Sequence, residues 1–82
     1  MMKMYVAISH GEGEYHREYE TVLGIYSTEE EAVQAVMPYF ETLEQYKEEL
    51  RIKEIPVGTT SLIGMFNYRT LTKEDYKKYI GE

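Results

Sequence analysis

Two stretches of the chain carry the side chains best suited to chemistry. The first is His10-Gly11-Glu12-Gly13-Glu14-Tyr15-His16-Arg17-Glu18. If extended, it puts Glu12, Glu14, His16 and Glu18 on one face, with His10 returning across a hairpin. Imidazole and carboxylate together can ligate zinc. The spacing matches no established metal motif, however, and alternating polar residues also mark an ordinary solvent-facing strand. An exposed hairpin is therefore expected, with no metal and no other cofactor. Gly11-x-Gly13 is not a phosphate loop, because it lacks the third glycine and no helix begins directly after it.

The second is a pairing of aromatic and cationic groups. Tyr15-His16-Arg17 and Tyr68-Arg69 each set a stacking ring beside a guanidinium, a combination that holds a base and a phosphate. Lys73, Lys77 and Lys78 add positive charge near the C-terminus. Tyr15, His16, Arg17, Tyr68 and Arg69 are thus candidate ligand-binding residues for a nucleotide. Catalysis has less support. There is no cysteine, and neither histidine stands in a recognisable relation to a serine and a carboxylate. Glutamates are plentiful, but nothing marks one as a buried acid or base. The chain is not expected to be an enzyme.

Fifteen acidic residues against nine basic ones give a net charge of −6. That balance disfavours DNA or RNA binding, which depends on Lys and Arg displacing phosphate counterions. It permits attraction to a basic protein surface. Glu41, Glu44 and Glu48 stand out here, within a run from Thr28 to Leu50 that holds seven glutamates and one lysine. Such a face could imitate a phosphate backbone and occupy a partner's nucleic-acid groove, although a wet helix face is rich in glutamate for simpler reasons.

The elements that position these groups follow from periodicity. Met2 to Ser9 alternates as a strand, and Tyr19 to Tyr26 reads as its hairpin partner, with Gly24 marking a bulge or a close backbone approach. In Ser27-Thr28-Glu29-Glu30-Glu31, Ser27 with Glu30 or Thr28 with Glu31 makes a helix start of the capping-box type. Ala32, Val36, Phe40, Leu43 and Leu50 form one apolar stripe after it. Pro38 falls inside that stripe without changing its phase, so the spacing predicts one Pro-kinked helix from about Thr28 to Leu50. Arg51 to Val57 reads as a third strand, with Pro56 at an edge or a strand end. Leu62 to Tyr68 reads as a fourth strand or a docking arm. Thr72 with Asp75 caps a last helix that carries Tyr76, Tyr79 and Ile80 on its apolar side and stops at Gly81. The expectation is a single α+β domain over residues 1–82, in the order β-β-α-β-(β)-α. A small antiparallel sheet should have one long helix packed on one face.

Eighty-two residues bury a marginal core, and without cysteine the chain has no disulfide to help. Self-association is the remaining support, so a homo-oligomer is expected. No run approaches the roughly 20 apolar residues of a membrane span. Met1 to His10 has no small-residue cleavage site and suits a strand better than a signal peptide. A cytoplasmic protein is expected.

Gly24-Ile25-Tyr26-Ser27-Thr28-Glu29-Glu30-Glu31-Ala32 resembles the strand-to-helix passage of many small bacteriophage αβ proteins, which also begin with a strand and a hairpin. The likeness covers about the first forty residues and carries over no catalytic residue. Some phage proteins of this make-up counter host immunity by plugging a host protein or by sequestering cyclic nucleotide signals as oligomeric sponges. The resemblance implies a phage-encoded, anti-defence binding protein in the host cytoplasm that takes up a nucleotide signal. The alternatives are an inhibitor of a host protein acting through the acidic helix, and a structural subunit whose partner is itself.

Overall fold

The computed structural model describes residues 3–13, 17–58 and 67–81. Four antiparallel strands form one sheet: β1 (Lys3–Glu12), β2 (Glu18–Tyr26), β3 (Glu49–Pro56) and β4 (Tyr68–Thr70), in the spatial order β2-β1-β3-β4. Helices α1 (Glu29–Val36), α2 (Phe40–Gln45) and α3 (Lys73–Ile80) complete an α+β fold. No helix among the described residues is long and apolar enough to cross a membrane.

The alternation expected of β1 assigns its residues to two faces. Tyr5, Ala7, Ser9 and Gly11 pair with Glu54, Ile52, Leu50 and Tyr19 on the helix side. There Ala7, Leu50 and Ile52 join Ala32, Val36, Met37, Phe40 and Leu71 in one buried cluster. The other face carries Val6, Ile8 and His10 on β1, beside Lys53 and Arg51 on β3 and Ile25, Val22 and Glu20 on β2.

Gly24 adjoins a bulge, as the sequence suggests, but the group lying close to it is a side chain and not the expected backbone. Ala7 pairs with Gly24 and Ile8 with Val22, so Leu23 is the extra residue of a bulge. A Cβ on Gly24 would lie 2.6 Å from the Tyr26 hydroxyl, so the ring of Tyr26 folds over a position only glycine leaves open.

The single long helix is not observed. Of the two expected caps Thr28 is the one observed, accepting the Glu31 N–H on its hydroxyl at 3.1 Å. The chain then tightens into a 3-10 turn at Met37–Tyr39 before α2 begins. Pro38 sits in the first turn of that segment, where its missing N–H costs nothing. Helix α2 stops at Gln45 in a Schellman motif, with Lys47 N–H donating to the Glu44 carbonyl and Glu48 N–H to that of Leu43. Lys47 takes the left-handed conformation, φ 61°, that glycine usually supplies. Glu49 and Leu50 therefore belong to β3. The spacing of seven that joined Leu50 to the apolar stripe is a coincidence of two elements facing one core.

Strand β3 begins two residues earlier than the expected Arg51, and Pro56 closes it, beyond the stretch paired with β4. Of the expected fourth strand from Leu62 to Tyr68, residues 62–66 lie outside the described residues. The observed β4 starts at Tyr68 and continues to Thr70.

Helix α3 has no fully buried residue and is held by specific contacts. Tyr76 stacks on Phe40 with ring centroids 5.2 Å apart. The Thr72 N–H and hydroxyl both donate to Asp75, at 2.8 and 3.0 Å, and Arg69 pairs with the same carboxylate. Burial pushes the Asp75 pKa up, but these hydrogen bonds and the Arg69 charge outweigh it and bring it below the ordinary value. Asp75→Ala should cost about 1–2 kcal/mol, the range of a lost helix cap. Hydrogen exchange should show the loss concentrated in the amides of α3, with those of β1 little changed.

Candidate functional site

The two faces of the sheet separate the candidate residues. Tyr68 and Arg69 are consecutive in β4 and therefore point to opposite sides. Arg69 faces the helices, where it donates to Glu29 at 2.8 Å and also to Asp75. It ties β4 to α1 and α3, and its guanidinium is already engaged. Tyr68 lies opposite Lys53 on the face against which no described helix packs, called the helix-free face below. Arg17 is exposed just before β2, with its carbonyl accepting the Gly13 N–H at 2.6 Å. Tyr15 and His16 lie outside the described residues. The structure thus brings no expected arginine to Tyr68.

It brings a different one. Arg51 lies over the Tyr68 ring, its guanidinium carbon 4.4 Å from the ring centroid. The strand period explains this: Arg51 and Lys53 alternate with Leu50 and Ile52, so the apolar pair enters the core and the basic pair lines the opposite face. Glu20 reaches this row from across β1. Its carboxylate accepts from Lys53 Nζ at 3.0 Å, lies 3.2 Å from His10 Nδ1, and is 3.6 Å from Arg51 Nη1. The Lys53 side chain is 3 % exposed, while Glu20 is 33 % exposed and keeps one side in water. The Lys53 hydrogen bond is the chief influence on Glu20, and with the His10 bond it overcomes burial to lower the pKa.

These groups line an open depression of about 420 Å³, with His10, Glu20, Arg51, Lys53 and Tyr68 on its floor and walls and Glu18 and Tyr19 beside them. Glu49 caps Arg51 from the far side at 2.9 Å, from a half-exposed position. Half of Tyr68 is open to solvent. A planar ring has an aromatic surface to stack on here, and an anionic group has a guanidinium within reach once the exposed Glu49 yields. Among the described residues, no group of three or more His, Asp or Glu is placed to hold a metal ion.

The acidic candidates fare differently from one another. Glu41 and Glu44 are exposed on the six-residue α2, with Glu44 3.8 Å from Lys73. Glu48 lies past the helix and accepts the Tyr19 hydroxyl at 2.6 Å, a bond that raises the Tyr19 pKa. The three therefore do not form one helical row.

Arg51, Lys53 and Glu20 were not singled out from the sequence. The signal was there in β3, where Arg51-x-Lys53 has the period of one strand face. Glu20 gave none, because its partners on β3, Arg51 and Lys53, lie 31 and 33 residues away. Comparison with protein-family models, with curated proteins and with solved structures finds no match for this chain.

Proposed function

We propose that this protein is a non-catalytic binding protein that sequesters a nucleotide-class ligand, a planar ring bearing an anionic group, on the helix-free face of its sheet. The observation that carries this reading is the Arg51–Tyr68 stack at the mouth of the depression. The half-exposed Tyr68 ring supplies a surface for a base, and Arg51 supplies the partner for a phosphate. Glu49 is half exposed while the Arg51 side chain is 15 % exposed, so Glu49 is the partner that an incoming anion would displace. The phage resemblance of Gly24–Ala32 supports a setting in which the captured nucleotide is a host defence signal.

Stacking of a base on an aromatic ring contributes about 1–3 kcal/mol by alanine substitution, or roughly 5- to 150-fold in affinity. Tyr68→Ala and Arg51→Ala should each weaken nucleotide binding by at least about fivefold in a calorimetric titration. Glu49→Gln, which removes the competing carboxylate, should tighten it. Equal affinity in Tyr68→Ala and the unaltered chain would place the ligand elsewhere.

A further inference from the structure

We infer that the outer edge of β2 is a docking surface for a second copy of this chain. In the sheet order β2-β1-β3-β4 the two edges differ sharply: β4 has three residues and β2 has nine. Among the described residues no strand pairs with the outer side of β2. Every second residue of such an edge turns an N–H and a C=O outward.

Edge strands are ordinarily protected by lysine, proline or a very short length. Strand β2 has nine residues and neither lysine nor proline; its protection is the bulge at Leu23 and the charges of Glu18 and Glu20 at one end. Thr21–Tyr26 is six consecutive uncharged residues in a chain of net charge −6. Tyr19, Val22, Leu23 and Ile25 are all large and well exposed, Val22 at 55 % and Ile25 at 60 %. Next to them, Leu23 and Tyr39 open an apolar groove between β2 and the α1–α2 turn.

The strand is complementary to itself. Val22 belongs to the helix-free face and Gly24 to the helix face, because Leu23 is a bulge between them. Two copies related by a two-fold axis between Val22 and Leu23 would run antiparallel with Thr21 opposite Gly24, Glu20 opposite Ile25 and Tyr19 opposite Tyr26. Each of these three pairs joins residues of the same face, and the bulge residue Leu23 takes the place opposite Val22 at the axis. No glutamate meets another, so the register avoids the like-charge opposition that destabilises cross-strand pairs. Both copies keep their helices on one side, giving a continuous eight-stranded sheet with an isologous interface. The exposed parts of the five side chains and the two backbone edges come to roughly 1,000 Å² over both copies, about the lower bound for specific association. This surface shares Tyr19 and Glu20 with the rim of the depression but not Arg51 or Tyr68 themselves, and the inference does not rest on nucleotide binding.

Size-exclusion chromatography with light scattering should give the mass of two chains. Val22→Lys combined with Ile25→Lys should reduce it to one chain. Both side chains are mostly exposed, so the far-ultraviolet dichroism should be unchanged, which separates lost association from lost folding. The chain contains no cysteine, so introduced thiols report cleanly. Val22→Cys brings its sulfur close to its symmetry mate and should form a covalent dimer on oxidation, whereas Thr70→Cys on β4 should not. A single-chain mass for the unaltered protein would overturn the inference. A two-chain mass in the double-lysine variant, or cross-linking through Thr70→Cys alone, would do the same.

Discussion

Met37→Ala should lower the unfolding free energy by about 2–5 kcal/mol, the cost of truncating a buried Met and leaving a cavity. Met37 is fully buried, at 0 % exposure, in the 3-10 turn that joins α1 to α2. From there its side chain enters the cluster formed by Ala7, Val36, Phe40, Leu50 and Ile52. The turn is pinned by Pro38, which limits how far the backbone can settle into the space. A chain of this length has a total stability of about 4–12 kcal/mol, so this one change removes a large share. Urea titration should show a much lower midpoint, with the slope unchanged if unfolding stays two-state. A midpoint within experimental scatter of the unaltered protein would contradict the placement of Met37 in the core.

Glu20→Ala should cost about 2–3 kcal/mol at neutral pH. The change leaves Lys53 charged and buried without its partner, and His10 and Arg51 lose the same carboxylate. Breaking a fully buried pair costs about 3–5 kcal/mol. The lower figure applies because one-third of Glu20 is in water, which already screens the pair. The effect depends on pH in a definite direction. The Lys53 hydrogen bond lowers the folded-state pKa of Glu20 below its ordinary 4.5. A lowered folded pKa contributes stability that is present above the unfolded value and lost as pH falls through the folded one. The stability gap between the unaltered protein and Glu20→Ala should therefore be widest at pH 6–7 and narrow as the medium is acidified below about 4.5. Urea midpoints at pH 7 and pH 3 for both proteins test this. A gap that holds constant with pH would mean that the carboxylate charge contributes nothing.

Local signals in the chain were informative where the chemistry is local. Thr28 with Glu31 and Thr72 with Asp75 sit within three residues of one another, and both helix starts appear where those residues predict. Gly81 stops α3 in the left-handed conformation that favours glycine. The end of α2 was hidden for the opposite reason: Lys47 adopts a left-handed φ that nothing about a lysine announces. Leu50 then misled, because its burial comes from β3, while its spacing continued the helical stripe.

The candidate site was half legible. Tyr68 could be named as a stacking ring from its type, but its partner depended on which face β4 turns toward β3. Adjacency in sequence suggested Arg69, which strand geometry sends to the opposite side. Pairing across the sheet supplied Arg51 instead, and Glu20 joined through β1. Cross-strand partnership depends on register, and register follows from the bulge at Leu23 and the hairpin, which no single residue encodes.

The measurement that bears most directly on the proposed function is native mass spectrometry of the purified chain, with and without a panel of linear and cyclic nucleotides. The account predicts that one class of nucleotide adds a fixed mass per chain, and that this adduct disappears in the Arg51→Ala and Tyr68→Ala variants. A protein that takes up none of the nucleotides at concentrations well above the micromolar range would contradict it.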